Sequence, residues 1–179
     1  GPLPMMRFCG RLAGSVAAIP SKSMAHRYMI CAALAQGKSV IRGLPEEAAL
    51  PEDLSATLGC VRAMGARAEF RGGALEITGA DSYPGLLRLD CRDSGTTYRL
   101  LYPVAPLIAD KAEFALSPSL RKRPMGPVIS LLKSRGAAAD MTGVSGRFCP
   151  GDFPIRGDVS SQYISGLMLA LTLLDGESR

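Results

Sequence analysis

The sequence predicts an α/β fold built from a repeated unit, and three observations support this class. Segments with apolar residues at helical spacing alternate with short segments typical of strands. The same order of segments occurs twice, because Gly65 and Gly136 are 71 positions apart and Ser23 and Ser94 have the same separation. Hydrophobic residues make up 47% of the chain but aromatic residues only 6%, so we expect an aliphatic core between helices and sheet.

The first copy establishes the order of elements. A helix is predicted over 51–64, because Leu54, Leu58 and Val61 recur at helical spacing and Gly65 follows as its end. The other elements of this copy are a polar helix start at 21–23 with the apolar helix that follows it, a strand at 39–42, and closing strands at 66–70 and 74–78.

The later copies follow the same order. Pro103 and Pro106 are expected to kink or end a helix near Tyr102, because proline interrupts helical hydrogen bonding. The other predicted elements are a helix start at 94–97, a strand at 112–116, a helix at 127–135, a strand-like segment at 136–141 that copies 65–70, and a third helix start at 160–162 that opens an apolar helix at 163–174.

The third copy has a first helix but no second helix or closing strands. We therefore expect an incomplete third unit and a chain that is part of a longer protein. An apolar helix left exposed in this way would also allow self-association. The units are placed at about 20–80, 88–156 and 157–179 within one lobe at 10–179, and residues 1–9 are interpreted as a tag remnant, Gly1–Pro4, and an N-terminal segment.

Composition excludes several classes of function. The formal net charge of +5 favours an anionic partner, which could be a small phosphate ester or a nucleic acid. The five cysteines are far apart, show no CxxC spacing, and are accompanied by a single histidine, so we expect a reducing cytoplasm and no metal site. No apolar run reaches the ~20 residues of a membrane span, and we expect no membrane partner.

Polar helix starts combined with cations indicate an anion site. Hydroxyl residues at a helix start are ordinary N-caps, but their free N–H groups also attract anions. Ordinary capping needs no cations, whereas Lys22 and Arg27 accompany the first start and Arg99 the second. Ser23 and Arg27 are four positions apart and can jointly hold a carboxylate, while Lys22 can direct a mobile ammonium group at a neighbouring phosphate.

Several of these features have a second interpretation. Gly95 either allows a phosphate to approach the backbone closely or forms a tight turn. The cationic run at 121–123 is a ligand contact, a solvated patch or a nucleic-acid contact, but no aromatic stacking platform accompanies it, which argues against nucleic acid. We interpret His26, which adjoins Arg27 on a helix, as structural.

Four ordered motifs closely resemble those of the EPSP synthase (3-phosphoshikimate 1-carboxyvinyltransferase) family. They are PSKSMAHR at 20–27, DSGTTYR at 93–99, RKRPM at 121–125 and GDVSSQ at 157–162. The resemblance runs from about Gly10 to the end and implies one lobe of an enolpyruvyl-transferase-like fold, in which each lobe has three βαβαββ units. It also implies transfer of the enolpyruvyl group of phosphoenolpyruvate to the 5-hydroxyl of shikimate 3-phosphate in aromatic amino-acid (chorismate) biosynthesis, without a cofactor.

The resemblance also implies roles for individual residues. It assigns Lys22 to phosphoenolpyruvate, Ser23 and Arg27 to the shikimate carboxylate, Gly95 and Arg123 to the phosphate of phosphoenolpyruvate, Ser160 and Ser161 to the 3-phosphate, and Gln162 to the substrate ring, with Asp53, Thr96 and Arg99 as supporting residues. The sequence departs from the family in Arg92-Asp93, where Gly-Asn or Gly-Glu is usual. We therefore expect an altered loop before Gly95.

The resemblance assigns no catalytic residue to this chain. In the family, the proton-transfer carboxylate and lysine, and an arginine pair that holds the phosphoenolpyruvate carboxylate, belong to a second lobe beyond the position of Arg179. That lobe is the expected partner, and the chain alone is expected to be nearly inactive. The alternative hypothesis is a stand-alone module that binds phosphorylated metabolites or RNA.

Overall fold

The computed structural model describes residues 9–11, 13–16 and 18–179, so the expected tag remnant at 1–4 lies outside it. Within these residues the helices are α1 (Lys22–Leu34), α2 (Glu52–Ala63), α3 (Gly95–Leu101), α4 (Ala105–Ile108), α5 (Gly126–Ser134) and α6 (Ser161–Leu171), with 3-10 turns at Glu47–Ala49 and Leu120–Lys122. The strands are β1 (Lys38–Arg42), β2 (Arg67–Arg71), β3 (Ala74–Thr78), β4 (Leu86–Arg92), β5 (Lys111–Leu116), β6 (Ala138–Ala139) and β7 (Gly143–Ser145).

The strands form two sheets, which confirms the predicted α/β class. The first sheet is antiparallel in the order β1-β3-β2, and the second has the order β4-β5-β7-β6. β4 and β5 run parallel and are connected through α3 and α4, as a βαβ connection requires. The order β1-β3-β2 corresponds to β5-β7-β6 in the second sheet, while the unit limits stay a prediction.

Strand β4 is absent from the sequence-based prediction. Its side chains alternate between buried and exposed, with Leu87, Leu89 and Cys91 inside and Arg88 and Asp90 outside. This period of two is visible in the sequence and is typical of a half-buried strand. β4 matters for the site because only two residues separate its end from the start of α3.

Two predicted elements are shorter in the structure. The strand-like segment at 136–141 is reduced to β6, because the Asp140 carboxylate accepts N–H bonds from Thr142 at 2.7 Å and Gly143 at 2.9 Å and forms a turn. The apolar helix predicted to reach 174 ends at Leu171 in α6. The break near Tyr102 is confirmed, since α3 ends at Leu101.

Helix α6 exposes less apolar surface than the sequence predicts. Tyr163, Leu167 and Ala170 are buried, whereas Ile164 is 41% and Met168 65% exposed. The close approach to α3 is possible because Gly166 has no side chain, and a Cβ there would overlap the Arg99 carbonyl oxygen. One face of α6 is therefore already packed.

Helix α3 is anchored on the second sheet by aromatic residues. The hydroxyl of Tyr98 donates to the Met141 carbonyl at 2.6 Å, and the hydroxyl of Tyr102 donates to the Asp140 carbonyl at 2.5 Å. Both rings are buried against Phe114. These contacts fix the start of α3 relative to the sheet.

In the part of the chain that the structure describes, no helix has the length and apolar character needed to cross a membrane.

Candidate anion-binding site

A cleft of about 440 Å³ lies where the starts of α1, α2, α3 and α6 meet. The predicted site residues that line it are Lys22, Asp53, Gly95, Thr96, Arg99, Arg123 and Gln162. Four other predicted residues are not among its lining residues, namely Ser23, Arg27, Ser160 and Ser161. The cleft lining thus includes the residues assigned to phosphoenolpyruvate and Gln162, but not those assigned to the shikimate carboxylate and the 3-phosphate.

Lys22 is held at the start of α1 by an ion pair. Its Nζ donates to Oδ2 of Asp53 at 2.9 Å, and the lysine side chain remains 58% exposed. Burial acts to raise the pKa of Asp53, but the hydrogen bond and charge of Lys22 outweigh it and lower that pKa. Asp53, which the resemblance names only as a supporting residue, is therefore in direct contact with Lys22.

Arg27 shares a helix face with Ser23, as the spacing predicts. One Arg27 nitrogen, Nη1, donates to the Ser23 carbonyl oxygen and to Ser23 Oγ, both at 2.7 Å. The other, Nη2, donates to Oγ of Ser165 on α6 at 2.8 Å. The sequence analysis did not include Ser165, although it lies four positions after Ser161 and so shares its helix face.

The start of α3 places a glycine against two guanidinium groups. Ser94 caps the helix, and its Oγ accepts the N–H of Thr97 at 3.2 Å. A Cβ on Gly95 would lie 3.0 Å from Arg123 Nη1 and 3.2 Å from Arg99 Nη1. The missing side chain therefore lets two cations approach this stretch of backbone.

Gln162 connects α6 to α3 through both ends of its amide. Its Oε1 accepts from Arg99 Nη1 at 3.0 Å, and its Nε2 donates to Thr96 Oγ1 at 2.7 Å. The Arg99 guanidinium also lies 5.7 Å from the centroid of the Tyr163 ring, within cation–π range. Gln162, Thr96 and Arg99 thus form one connected wall of the cleft.

Arg123 is positioned by Asp93, a residue that the sequence-based assignment did not use. Oδ2 of Asp93 accepts from Arg123 Nη2 at 3.1 Å, while Oδ1 accepts from the hydroxyls of Ser117 and Ser119. These hydroxyl bonds, followed by the charge of Arg123, lower the pKa of Asp93. The signal was present in the sequence as an acidic residue inside the second motif.

The loop before Gly95 contains Arg92, where glycine is usual in the family motif, and the expected alteration of this loop stays a prediction. Arg92 has φ +49°, in the left-handed region that glycine adopts without strain. Its N–H donates to Asp90 Oδ1 at 3.0 Å, and its carbonyl accepts the N–H of Ser117 at 2.8 Å. Arg92 therefore adopts this backbone conformation despite its bulky side chain, and the two hydrogen bonds support it.

The charges of the cleft are only partly compensated. Lys22 and Arg123 each face a carboxylate, whereas Arg27 and Arg99 form no ion pair within the described residues. The positive ends of several helices add to this field. No group of three or more His, Cys, Asp or Glu residues suited to a metal occurs in the described ranges. Fold and site together define an α/β protein with a cationic cleft whose chemistry suits small anionic ligands.

Comparisons with known proteins identify the family. The model of the family EPSP synthase (3-phosphoshikimate 1-carboxyvinyltransferase) matches residues 7–179. The 3-phosphoshikimate 1-carboxyvinyltransferase of Clostridium beijerinckii is 34% identical over 185 residues, covering 95% of this chain and 41% of that protein. The Natronomonas pharaonis protein of the same name is 38% identical over 167 residues, covering 88% of this chain and 37% of that protein.

The similarity extends to a solved structure. EPSP synthase from Acinetobacter baumannii matches with a TM-score of 0.72 and 27% sequence identity, covering 92% of this chain and 40% of that one. The chain belongs to the EPSP synthase family. It spans about 41% of the length of the Clostridium relative.

Proposed function

We propose that this chain supplies the binding surface for shikimate 3-phosphate and phosphoenolpyruvate in a carboxyvinyl transferase of aromatic amino-acid synthesis. The parent reaction transfers the enolpyruvyl group of phosphoenolpyruvate to the 5-hydroxyl of shikimate 3-phosphate. The observation that carries the proposal is that Arg99 and Arg123 approach Gly95 in a cleft that Lys22 also lines. The names of the curated relatives support it independently.

The two ligands would use different parts of the site. Phosphoenolpyruvate would place its phosphate beside Gly95, Arg123 and Lys22, since charge-assisted hydrogen bonds to phosphate are strong. The shikimate carboxylate would bind to Ser23 and Arg27. The Arg27 guanidinium already donates a hydrogen bond to the Ser23 hydroxyl. The 3-phosphate would then meet Ser160 and Ser161 at the start of α6, and Gln162 would lie beside the ring.

Proton transfer would require groups beyond those of this cleft. The reaction protonates the methylene carbon of phosphoenolpyruvate and removes a proton from the 5-hydroxyl. The carboxylates that line the described cleft include Asp53 and Asp93, and both hold cations and have lowered pKa values, which makes them weak bases. Following the family resemblance, we assign proton transfer to a second lobe, and expect binding without turnover from the 179-residue chain.

Calorimetric titration of the chain with shikimate 3-phosphate tests the proposal, with plain shikimate as the control for the phosphate contacts. Binding of shikimate 3-phosphate that is clearly tighter than binding of shikimate is the expected result. Absence of binding to shikimate 3-phosphate and to phosphoenolpyruvate would contradict the proposal. A single-stranded RNA oligonucleotide forms a third arm, because binding of RNA alone would favour the stand-alone RNA module.

Two further properties belong to the same proposal. A cytoplasmic location is supported by the five cysteines, all of which are free thiols in the structure. Self-association is supported by the exposed side chains of Ile164 and Met168 on α6. Sedimentation velocity of the chain and of Met168→Glu tests it, and a monomer at all concentrations would contradict it.

A further inference from the structure

The buried polar side chains of the described residues form one connected hydrogen-bond chain. They are His26, Thr57, Ser94 and Thr97, each at most 5% exposed. Nδ1 of His26 lies 2.6 Å from Thr57 Oγ1, which lies 2.6 Å from Thr97 Oγ1, which lies 2.6 Å from Ser94 Oγ. The hydrogen-bond chain therefore crosses from α1 through α2 to the start of α3. Buried polar groups are costly without partners, so its members are expected to be strongly ordered.

Both ends of this hydrogen-bond chain reach the cleft. At one end, Ser94 caps α3 directly before Gly95, and both residues line the cleft. At the other end, Nε2 of His26 lies 3.8 Å from Oδ2 of Asp53, the oxygen that accepts from Lys22. The Asp53 carbonyl oxygen also lies 3.3 Å from the Thr57 hydroxyl and 3.4 Å from the Thr97 hydroxyl.

The charge of Asp53 sets the direction of the hydrogen bonds. A neutral imidazole carries one N–H donor and one acceptor nitrogen. With the proton on Nε2, His26 presents an N–H to the Asp53 carboxylate and an acceptor, Nδ1, to the Thr57 hydroxyl. The opposite tautomer would place a nitrogen lone pair against a carboxylate. The Thr57 hydroxyl therefore donates to His26, and its oxygen can accept from the Thr97 hydroxyl.

We propose that Thr57 is a positioning residue, whose hydroxyl holds the start of α3 at a fixed distance from the Lys22–Asp53 pair. Thr57 lines no cleft surface, yet it is the link between His26 and Thr97. The consequence for phosphoenolpyruvate rests on the proposed function, because Lys22 and Gly95 are assigned there to the same ligand. Loss of the hydroxyl would leave the buried Nδ1 of His26 without its partner, remove one partner from Thr97 and allow the two cleft walls to shift.

Three variants separate a positioning role of Thr57 from an effect on the stability of the fold. Thr57→Val keeps the volume and removes the hydroxyl, whereas Thr57→Ser keeps the hydroxyl and removes a methyl group. Thr78→Val makes the same chemical change on β3, outside the cleft. Calorimetric titration with phosphoenolpyruvate should show an affinity about tenfold lower for Thr57→Val, and within about twofold of the unaltered chain for the other two variants.

A spectroscopic measurement tests the hydrogen-bond chain without any ligand. His26 is the only histidine, so its two ¹⁵N imidazole resonances are assigned unambiguously. The unaltered chain should show the Nε2–H tautomer with Nδ1 accepting a hydrogen bond. Thr57→Val should shift the Nδ1 resonance and the amide resonances of Gly95 and Thr96, and Thr57→Ser should restore both.

Each outcome decides the proposal. An Nδ1–H tautomer in the unaltered chain overturns it directly, even if Thr57→Val does not fold. A shifted Nδ1 resonance together with unaltered phosphoenolpyruvate affinity also overturns it. If the unaltered chain binds neither ligand, the proposed function fails. The positioning role of Thr57 is then judged from the amide resonances of Gly95 and Thr96. Resonances that do not shift in Thr57→Val would overturn that role.

Discussion

At the scale of single residues, each cation of the site is held by a side chain from another element or loop. Two partners are carboxylates, which neutralise the charge they hold, and two are neutral, which leave the charge available to a ligand. The neutral partners therefore mark the cations with the greater capacity to attract an anion. The pairs are Lys22 with Asp53, Arg123 with Asp93, Arg27 with Ser165, and Arg99 with Gln162.

Arg27→Ala tests the carboxylate role at this scale. Loss of a charge-assisted hydrogen-bonded pair should weaken binding of shikimate 3-phosphate by about 1.5 to 3 kcal/mol, which is roughly tenfold or more in Kd. Calorimetric titration gives the value. Arg67→Ala removes the same charge from an exposed position on β2 and should bind normally. Equal affinities in the two variants would refute the role of Arg27.

Gly95→Ala tests the close approach of the backbone to its cations. The added methyl group would stand 3.0 Å from an Arg123 nitrogen and 3.2 Å from an Arg99 nitrogen, so both guanidinium groups must move. We expect phosphoenolpyruvate affinity to fall about tenfold, with shikimate 3-phosphate affinity unaltered. Gly126→Ala is the matched control, since Gly126 also begins a helix and a Cβ there meets nothing within 4 Å. A parallel loss of both ligands would contradict this division of the site.

At the scale of elements, the site depends on how closely α6 approaches α3. The buried face of α6 includes Gly166, and the Arg99 carbonyl occupies the space where its side chain would be. This contact brings Gln162, one turn earlier on α6, within hydrogen-bond distance of Thr96 and Arg99. A change in helix packing should therefore reach the site.

Gly166→Ala should lower the free energy of unfolding by about 1 to 3 kcal/mol, because overpacking forces backbone shifts. Urea unfolding followed by circular dichroism measures this change. Gly59→Ala is the control, because Gly59 is an exposed position inside α2 with nothing within 4 Å of a Cβ. It should raise stability by roughly 0.5 to 1 kcal/mol, since glycine weakens a helix interior. Two variants of equal stability would show that α6 can move away from α3 without penalty.

At the scale of the whole molecule, stability should depend on the protonation of His26. Burial lowers its pKa from the ordinary 6.5, the Asp53 charge opposes this shift, and the charges of Lys22 and Arg27 add to it. The folded state therefore favours neutral His26 more than the unfolded state does. Its contribution to stability is complete above the unfolded pKa and is lost as the pH falls through the folded pKa.

Unfolding free energies measured at about pH 7.5 and 5.5 test this dependence, because the lower value is below the ordinary histidine pKa. The unaltered chain should be less stable at the lower pH, and His26→Gln should show a smaller difference. The carboxylates with lowered pKa values, including Asp53 and Asp93, lose their contribution only in more acidic solution. Identical pH profiles in the two proteins would exclude His26 as the source.

Much of the fold and part of the site follow from the sequence. The predicted helix at 51–64 corresponds to α2, and the strand at 74–78 to β3. The shared helix face of Arg27 and Ser23 also matches its prediction. These features depend on helical period, turn residues and residue type, which nearby positions in the chain record.

Only the tertiary structure decided which distant residues meet. Arg27 and Ser165 are 138 positions apart, and Thr57 and Thr97 are 40 apart, yet each pair lies within hydrogen-bond distance. No local pattern encodes such contacts, because they arise when helix starts from successive segments pack together. The sequence by itself thus determined the elements, the cations and the family motifs. Packing determined how those cations are held, because the geometry of a cleft depends on all the elements that enclose it.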